Sequence, residues 1–122
     1  MDTRELNYTV SRITAENETL RILVSVTDLD ELREREAQEE MRKQFQRVRE
    51  PLGELLTSMK DNSEYPYAAN DLKEALHQLD VWEDEVMDLQ TPDWEKRISV
   101  PRARFKDYFS IVFETVTGHL LV

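Results

Sequence analysis

The sequence predicts an α+β fold in which an N-terminal β-hairpin packs on a mostly helical domain. Apolar residues alternate with mostly polar ones near the N-terminus, and beyond residue 28 they recur in steps of three and four. A chain of 122 residues with 39% hydrophobic residues suits one domain with its own core. We therefore expect a single domain that spans residues 1–122.

Residues 1–27 are predicted to form the hairpin. The two predicted strands are carried by alternating apolar residues, namely Leu6, Tyr8 and Val10, then Leu20, Ile22, Val24 and Val26. The polar segment 15–18 between them is suited to a turn. Because a lone hairpin is only marginally stable, its apolar face should lie against the helices.

Residues 28–60 are predicted to form a long, kinked helix that begins at Asp28. Its carboxylate can cap the first turn by accepting backbone N–H bonds. One helical stripe follows, formed by Met41, Phe45, Val48, Leu52, Leu55 and Met59. Pro51 interrupts this stripe, and its ring removes a hydrogen bond. We expect a helix over 28–49, a kink or break, and a shorter helix to about residue 60.

The segment 61–67 is predicted to be a loop, and 68–90 an acidic helix that packs antiparallel to the first. The second stripe consists of Leu72, Ala75, Leu79, Trp82, Val86 and Leu89. Two amphipathic helices joined by a short loop favour a helical hairpin.

Residues 96–122 are predicted to contain a short strand at 97–100 and a C-terminal amphipathic helix. Strand and helix both suit the aromatic and β-branched segment 105–117, and helical spacing favours the helix. Pro101 suits its first turn and Gly118 its C-terminal cap. Its broad apolar stripe is predicted to be the self-association surface of a homodimer or larger homo-oligomer: Phe105, Tyr108, Phe109, Val112, Phe113 and Val116.

The net charge of −10 is concentrated in residues 61–95, which hold eleven acids and one base. Four acids share one face of the predicted acidic helix and form a candidate surface for a basic protein partner: Glu74, Asp84, Glu85 and Asp88. Two simpler interpretations are a solvated face and internal pairing with the basic segments 42–49 and 96–106. Direct nucleic-acid binding is disfavoured because an acidic field repels phosphate.

Candidate chemistry is sparse in this sequence. Glu74 and His77 have the Glu-x-x-His spacing of di-iron sites, but helical geometry places both opposite the apolar stripe. Glu83 lies within the stripe, where we predict an interhelical pair with Arg42 or Arg49 rather than a catalytic acid. We expect no cofactor, no metal and no enzymatic activity.

These observations favour a non-catalytic protein–protein interaction module, such as an adaptor, chaperone or assembly component. The alternative is an acidic inhibitor or immunity-type protein, or a nucleic-acid mimic, that occupies a basic site on its partner. There is no cysteine, no secretory signal and no apolar run long enough to cross a membrane. We therefore expect a cytoplasmic protein that does not bind membranes.

Overall fold

Helices account for all the regular secondary structure in the part of the chain that the computed structural model describes, residues 2–60, 67–90 and 93–121. Five helices follow one another: α1 (Thr3–Val26), α2 (Leu29–Leu32), α3 (Arg35–Met59), α4 (Ala68–Met87) and α5 (Trp94–Leu121). The predicted α+β class is therefore wrong, and the fold is a helical bundle.

The predicted β-hairpin at residues 1–27 is replaced by the continuous helix α1. Its buried apolar residues follow a helical rather than an alternating pattern: Leu6, Val10, Ile13, Leu20 and Val24. The Asp2 side chain caps the helix by accepting a hydrogen bond from the Glu5 backbone N–H at 2.8 Å. No glycine or proline interrupts residues 1–26, and the predicted turn at 15–18 lies in the middle of the helix.

Of the kink or break predicted at Pro51, the break is wrong, because α3 is continuous through this residue, and the kink stays a prediction. The chain breaks earlier, at 33–34, after the short helix α2 that Asp28 caps as expected. Pro51 costs one backbone hydrogen bond, yet a continuous helix aligns the buried side chains on both sides of it. Packing of that face decides the outcome, as it does for most helices in proteins.

Helices α4 and α5 differ from prediction mainly at their ends. Helix α4 covers most of the predicted range 68–90 and ends at Met87. Helix α5 begins at Trp94, so the strand predicted at 97–100 is wrong and Pro101 lies in the helix interior. The helix predicted over 105–117 is confirmed, and it continues past Gly118 to Leu121.

The four long helices form a ring in the order α1, α3, α4, α5, and neighbours run antiparallel. Phe45 of α3 contacts Trp82 of α4 edge to face at 5.2 Å, and Phe45 is as far from the end of α3 as Trp82 is from the start of α4. Most of the loop predicted at 61–67 lies outside the described residues. The indole N–H of Trp94, at the start of α5, donates a hydrogen bond to the carbonyl oxygen of Val86, near the end of α4. Helix α5 closes the ring against α1, and this contact is less extensive than the other three. We call it the α1–α5 seam.

Candidate functional site

The four acids predicted as a partner surface lie on α4 and at its C-terminal cap, and α5 binds two of them. Arg97 forms ion pairs with Glu85 and Asp88, and it also donates to the Asp88 carbonyl oxygen at 2.9 Å. Asp84 is exposed and Glu74 is half-buried, and neither forms an ion pair with the described residues. The acidic surface open to a partner is therefore smaller than the sequence suggests.

The predicted interhelical pair of Glu83 is confirmed. Its carboxylate accepts a 2.8 Å hydrogen bond from Arg49, and Arg42 lies 3.8 Å away. Arg49 also binds Asp80 at 3.0 Å. Burial lowers the pKa of Arg49, but the hydrogen bonds and charges of Glu83 and Asp80 outweigh it, so its pKa is raised. This cluster joins α3 to α4 and gives Glu83 a structural role.

The apolar stripe predicted for self-association is mostly used inside the protomer. Phe105, Phe109 and Val112 are buried, while Tyr108 and Phe113 are half-buried against the same core. The Phe105 and Phe109 rings stack with centroids 6.2 Å apart. The Val116 side chain lies outside those that the structure describes. Self-association through this stripe stays a prediction, but its largest side chains are not free at the surface.

The Glu-x-x-His motif lies away from the core of the bundle. His77 is exposed and Glu74 is half-buried on α4. In the described part of the chain, no cluster of three or more histidine, aspartate or glutamate residues could hold a metal ion.

An exposed apolar stripe runs along the outer face of α1, opposite its buried side. Tyr8 is 70% exposed, Ile22 51% and Val26 67%, and Ala15 between them is also exposed. At 3.6 residues per turn, these four side chains project within about 40° of one another. We call Tyr8, Ala15, Ile22 and Val26 the outer stripe. Sequence reasoning missed it, because a strand would place Tyr8, Ile22 and Val26 on the core-facing side.

A shallow hollow of about 460 Å³ lies at the Tyr8 end of the outer stripe. Besides Tyr8, its lining comes from α1 and from one residue of α3, namely Arg4, Glu5, Thr9, Arg12 and Glu54. Arg12 and Glu54 lie 3.8 Å apart across its floor, so the two charges of this pair compensate each other. With Arg4 and Glu5 the lining holds two cations and two anions, so the hollow adds no net charge beside Tyr8.

Comparison of the chain with protein-family models, with curated proteins and with solved structures gave no match. Among the described residues, no helix is both long enough and apolar enough to cross a membrane.

Proposed function

We propose that the chain is a non-catalytic protein–protein interaction module, an adaptor or assembly component, that forms a homodimer through α1. The observation that carries the proposal is the outer stripe. Tyr8, Ile22 and Val26 lie in line on one exposed helix face, and a partner helix that covers them removes their apolar area from water. A cytoplasmic location, expected from the sequence, stays part of the proposal.

The proposed occupant of the outer stripe is a second copy of the same chain. Ala15 lies midway between Tyr8 and Ile22, about 10 Å along the helix axis from each. Two antiparallel copies of α1 that cross at Ala15 would place Tyr8 against Ile22 of the second copy, and the reverse. The small side chain at the centre permits close approach, and the large ones at both ends complement each other across a two-fold axis.

The hollow beside Tyr8 supports this arrangement. It lies at the end of α1 that faces Ile22 and Val26 of the second copy in the antiparallel pair. An apolar side chain that enters a hollow of this kind is a typical interface anchor. Because one helix face contributes most of the interface, we expect a dissociation constant in the micromolar range, which corresponds to a binding free energy on the order of −8 kcal/mol.

Sedimentation equilibrium of the intact chain and two variants tests the proposal. Ile22→Glu places two charges at the dimer interface and should weaken dimerisation by at least about tenfold. The matched control is Val100→Glu, which makes the same charge change at a side chain that is also 51% exposed but lies on α5. We expect this control to dimerise like the unaltered chain.

Circular dichroism should show that both variants keep the helical content of the unaltered chain. Two outcomes would overturn the proposal: a monomer at all concentrations up to about 100 times the expected micromolar dissociation constant, or a dimer that Val100→Glu weakens as much as Ile22→Glu does.

A further inference from the structure

A cleft of about 280 Å³ opens at the α1–α5 seam. Its floor includes the indole of Trp82 from α4 and the ring of Phe105 from α5. Polar side chains from α1 and α5 complete the lining, namely Asn17, Arg21, Arg102 and Lys106. The cleft lies on the inner side of α1, away from the outer stripe, so its role is independent of the proposed dimer.

Two polar atoms of residues that line the cleft are buried without a hydrogen bond. Trp82 is fully buried, and its Nε1–H has no partner among the described residues. The Oδ1 atom of Asn17 is also buried and has no partner there. By contrast, the Nε1–H of Trp94 donates to the Val86 carbonyl oxygen at 2.8 Å. Folded proteins satisfy nearly all such groups through protein atoms, water or ligands, so this donor and acceptor beside one cleft offer partners to a polar group that reaches them when the lining side chains move apart.

Cations outnumber acids beside the cleft: the charges of Arg21 and Lys106 both act on one carboxylate, that of Glu18. Arg102 is half-buried and Lys106 is exposed, and no carboxylate of the described residues lies within the 4.0 Å of an ion pair from either. The third cation, Arg21, is bound to Glu18 by two hydrogen bonds. In a chain with a net charge of −10, three cations that share the single carboxylate of Glu18 beside one cleft favour an anion.

We infer that the cleft binds a small organic anion that carries a hydroxyl or amide group. Its carboxylate or phosphate lies between Arg102 and Lys106 at the mouth. Its hydroxyl or amide accepts from the Trp82 N–H and donates to Asn17 Oδ1, and its carbon chain packs against Phe105. A volume just below the range of drug-sized pockets limits the ligand to about ten non-hydrogen atoms.

The two tryptophans provide a built-in comparison for nuclear magnetic resonance. Each indole N–H gives one peak, and Trp94→Phe assigns the pair. We would titrate the intact chain with N-acetylglycinate and with glycerol 3-phosphate in chloride buffer. The neutral probes are the methyl ester of N-acetylglycine and glycerol. The anions should shift the Trp82 peak and leave the hydrogen-bonded Trp94 peak in place, and the larger effect identifies carboxylate or phosphate as the preferred group.

Paired variants test the role of the cations. Arg102→Gln with Lys106→Gln should weaken anion binding by at least about tenfold. The control, Lys96→Gln with Arg104→Gln, removes the same charge from exposed positions of α5 that do not line the cleft, and it should bind normally.

Three results would overturn the inference. The first is a Trp82 peak that no anion moves at about ten times the millimolar dissociation constants expected for so small a ligand. The second is a response that the neutral probes reproduce. The third is an equal loss of binding in both pairs of variants.

Discussion

Arg49 binds two acids of α4 that differ in exposure to water. The Glu83 side chain is 12% exposed and the Asp80 side chain is 60% exposed. An ion pair in water loses most of its strength to screening, whereas a buried pair leaves a costly charge behind when one partner is removed. At the scale of single residues, burial should therefore decide how much each of these ion pairs contributes to the free energy of unfolding.

Glu83→Ala should lower the free energy of unfolding by about 1–3 kcal/mol, because a hydrogen bond between charged groups is lost and Arg49 keeps only the exposed Asp80 as an acidic partner, beside the neutral Gln46. Asp80→Ala removes a partner of the same arginine and should cost less than about 1 kcal/mol. Urea denaturation followed by tryptophan fluorescence measures both values. Equal losses would contradict the role given to burial.

At the scale of elements, α1 shows why part of the fold could not be predicted from the sequence. Leu6 and Val10 are both buried, but this does not distinguish the two structures, because residues four apart share one face in a strand and in a helix. Tyr8 and Ile22 made the pattern alternate, yet both are exposed. Exposed apolar residues on the outer face of α1 therefore produced the alternating pattern that is typical of a strand. The residues that misled the prediction are the ones proposed to bind a partner, as expected where function conflicts with a local pattern.

Helix α4 was predictable because its stripe of apolar residues recurs in steps of three and four and a polar segment precedes it in the sequence. The same regularity placed Glu83 toward α3, where Arg42 and Arg49 stood at compatible positions. Internal pairing of the acidic residues with the basic segment 96–106 was one of the interpretations drawn from the sequence, and Arg97 fulfils it, but neither its particular partners nor the cleft could be predicted. Both depend on how α5 packs against other helices, which the spacing within one helix does not determine.

Gly53 allows a direct test of α3 as a continuous helix. A Cβ atom at this position would meet no atom within 4 Å, so alanine fits without strain. Gly53→Ala should raise the free energy of unfolding by about 0.5–1 kcal/mol, since glycine loses more backbone entropy in a helix interior. Thermal denaturation followed by circular dichroism measures the change. A lower melting temperature would contradict a helix that continues through Pro51.

At the scale of the whole molecule, the net charge of −10 opposes contact between two copies. Salt screens this repulsion and leaves apolar burial intact. We therefore expect dimerisation through the outer stripe to strengthen when sodium chloride rises from about 0.05 M to 0.5 M, across which the Debye length falls several-fold. Sedimentation equilibrium at the two concentrations measures the effect, and a dimer that dissociates with salt would contradict it.

The same salt series separates the dimer from the alternative predicted from the sequence, an acidic inhibitor or nucleic-acid mimic. A complex between the exposed acids of α4 and a basic protein should weaken as salt rises. Asp84→Lys reverses one of these charges without disturbing the pairs of Arg97, so it should weaken such a complex and leave the dimer unchanged. If the chain captures a basic protein and the Asp84→Lys variant binds that protein equally well, the inhibitor hypothesis is contradicted.

The α1–α5 seam also has a consequence for the order in which the protein folds. Each of the other contacts in the ring joins two consecutive long helices, whereas the seam joins the first long helix to the last. Closing the longest loop costs the most entropy, so we expect the seam to form after the folding transition state.

Val24→Ala, which removes a buried side chain near the seam, should then speed unfolding several-fold and leave the folding rate nearly unchanged. Leu72→Ala, in the core face of α4, is the comparison that should slow folding. Stopped-flow denaturant jumps measure both rates, and the reverse pattern would make ring closure the rate-limiting step. An anion bound in the cleft would bridge α1 and α5, the two helices expected to separate first, so it should slow unfolding and prolong the lifetime of the folded state.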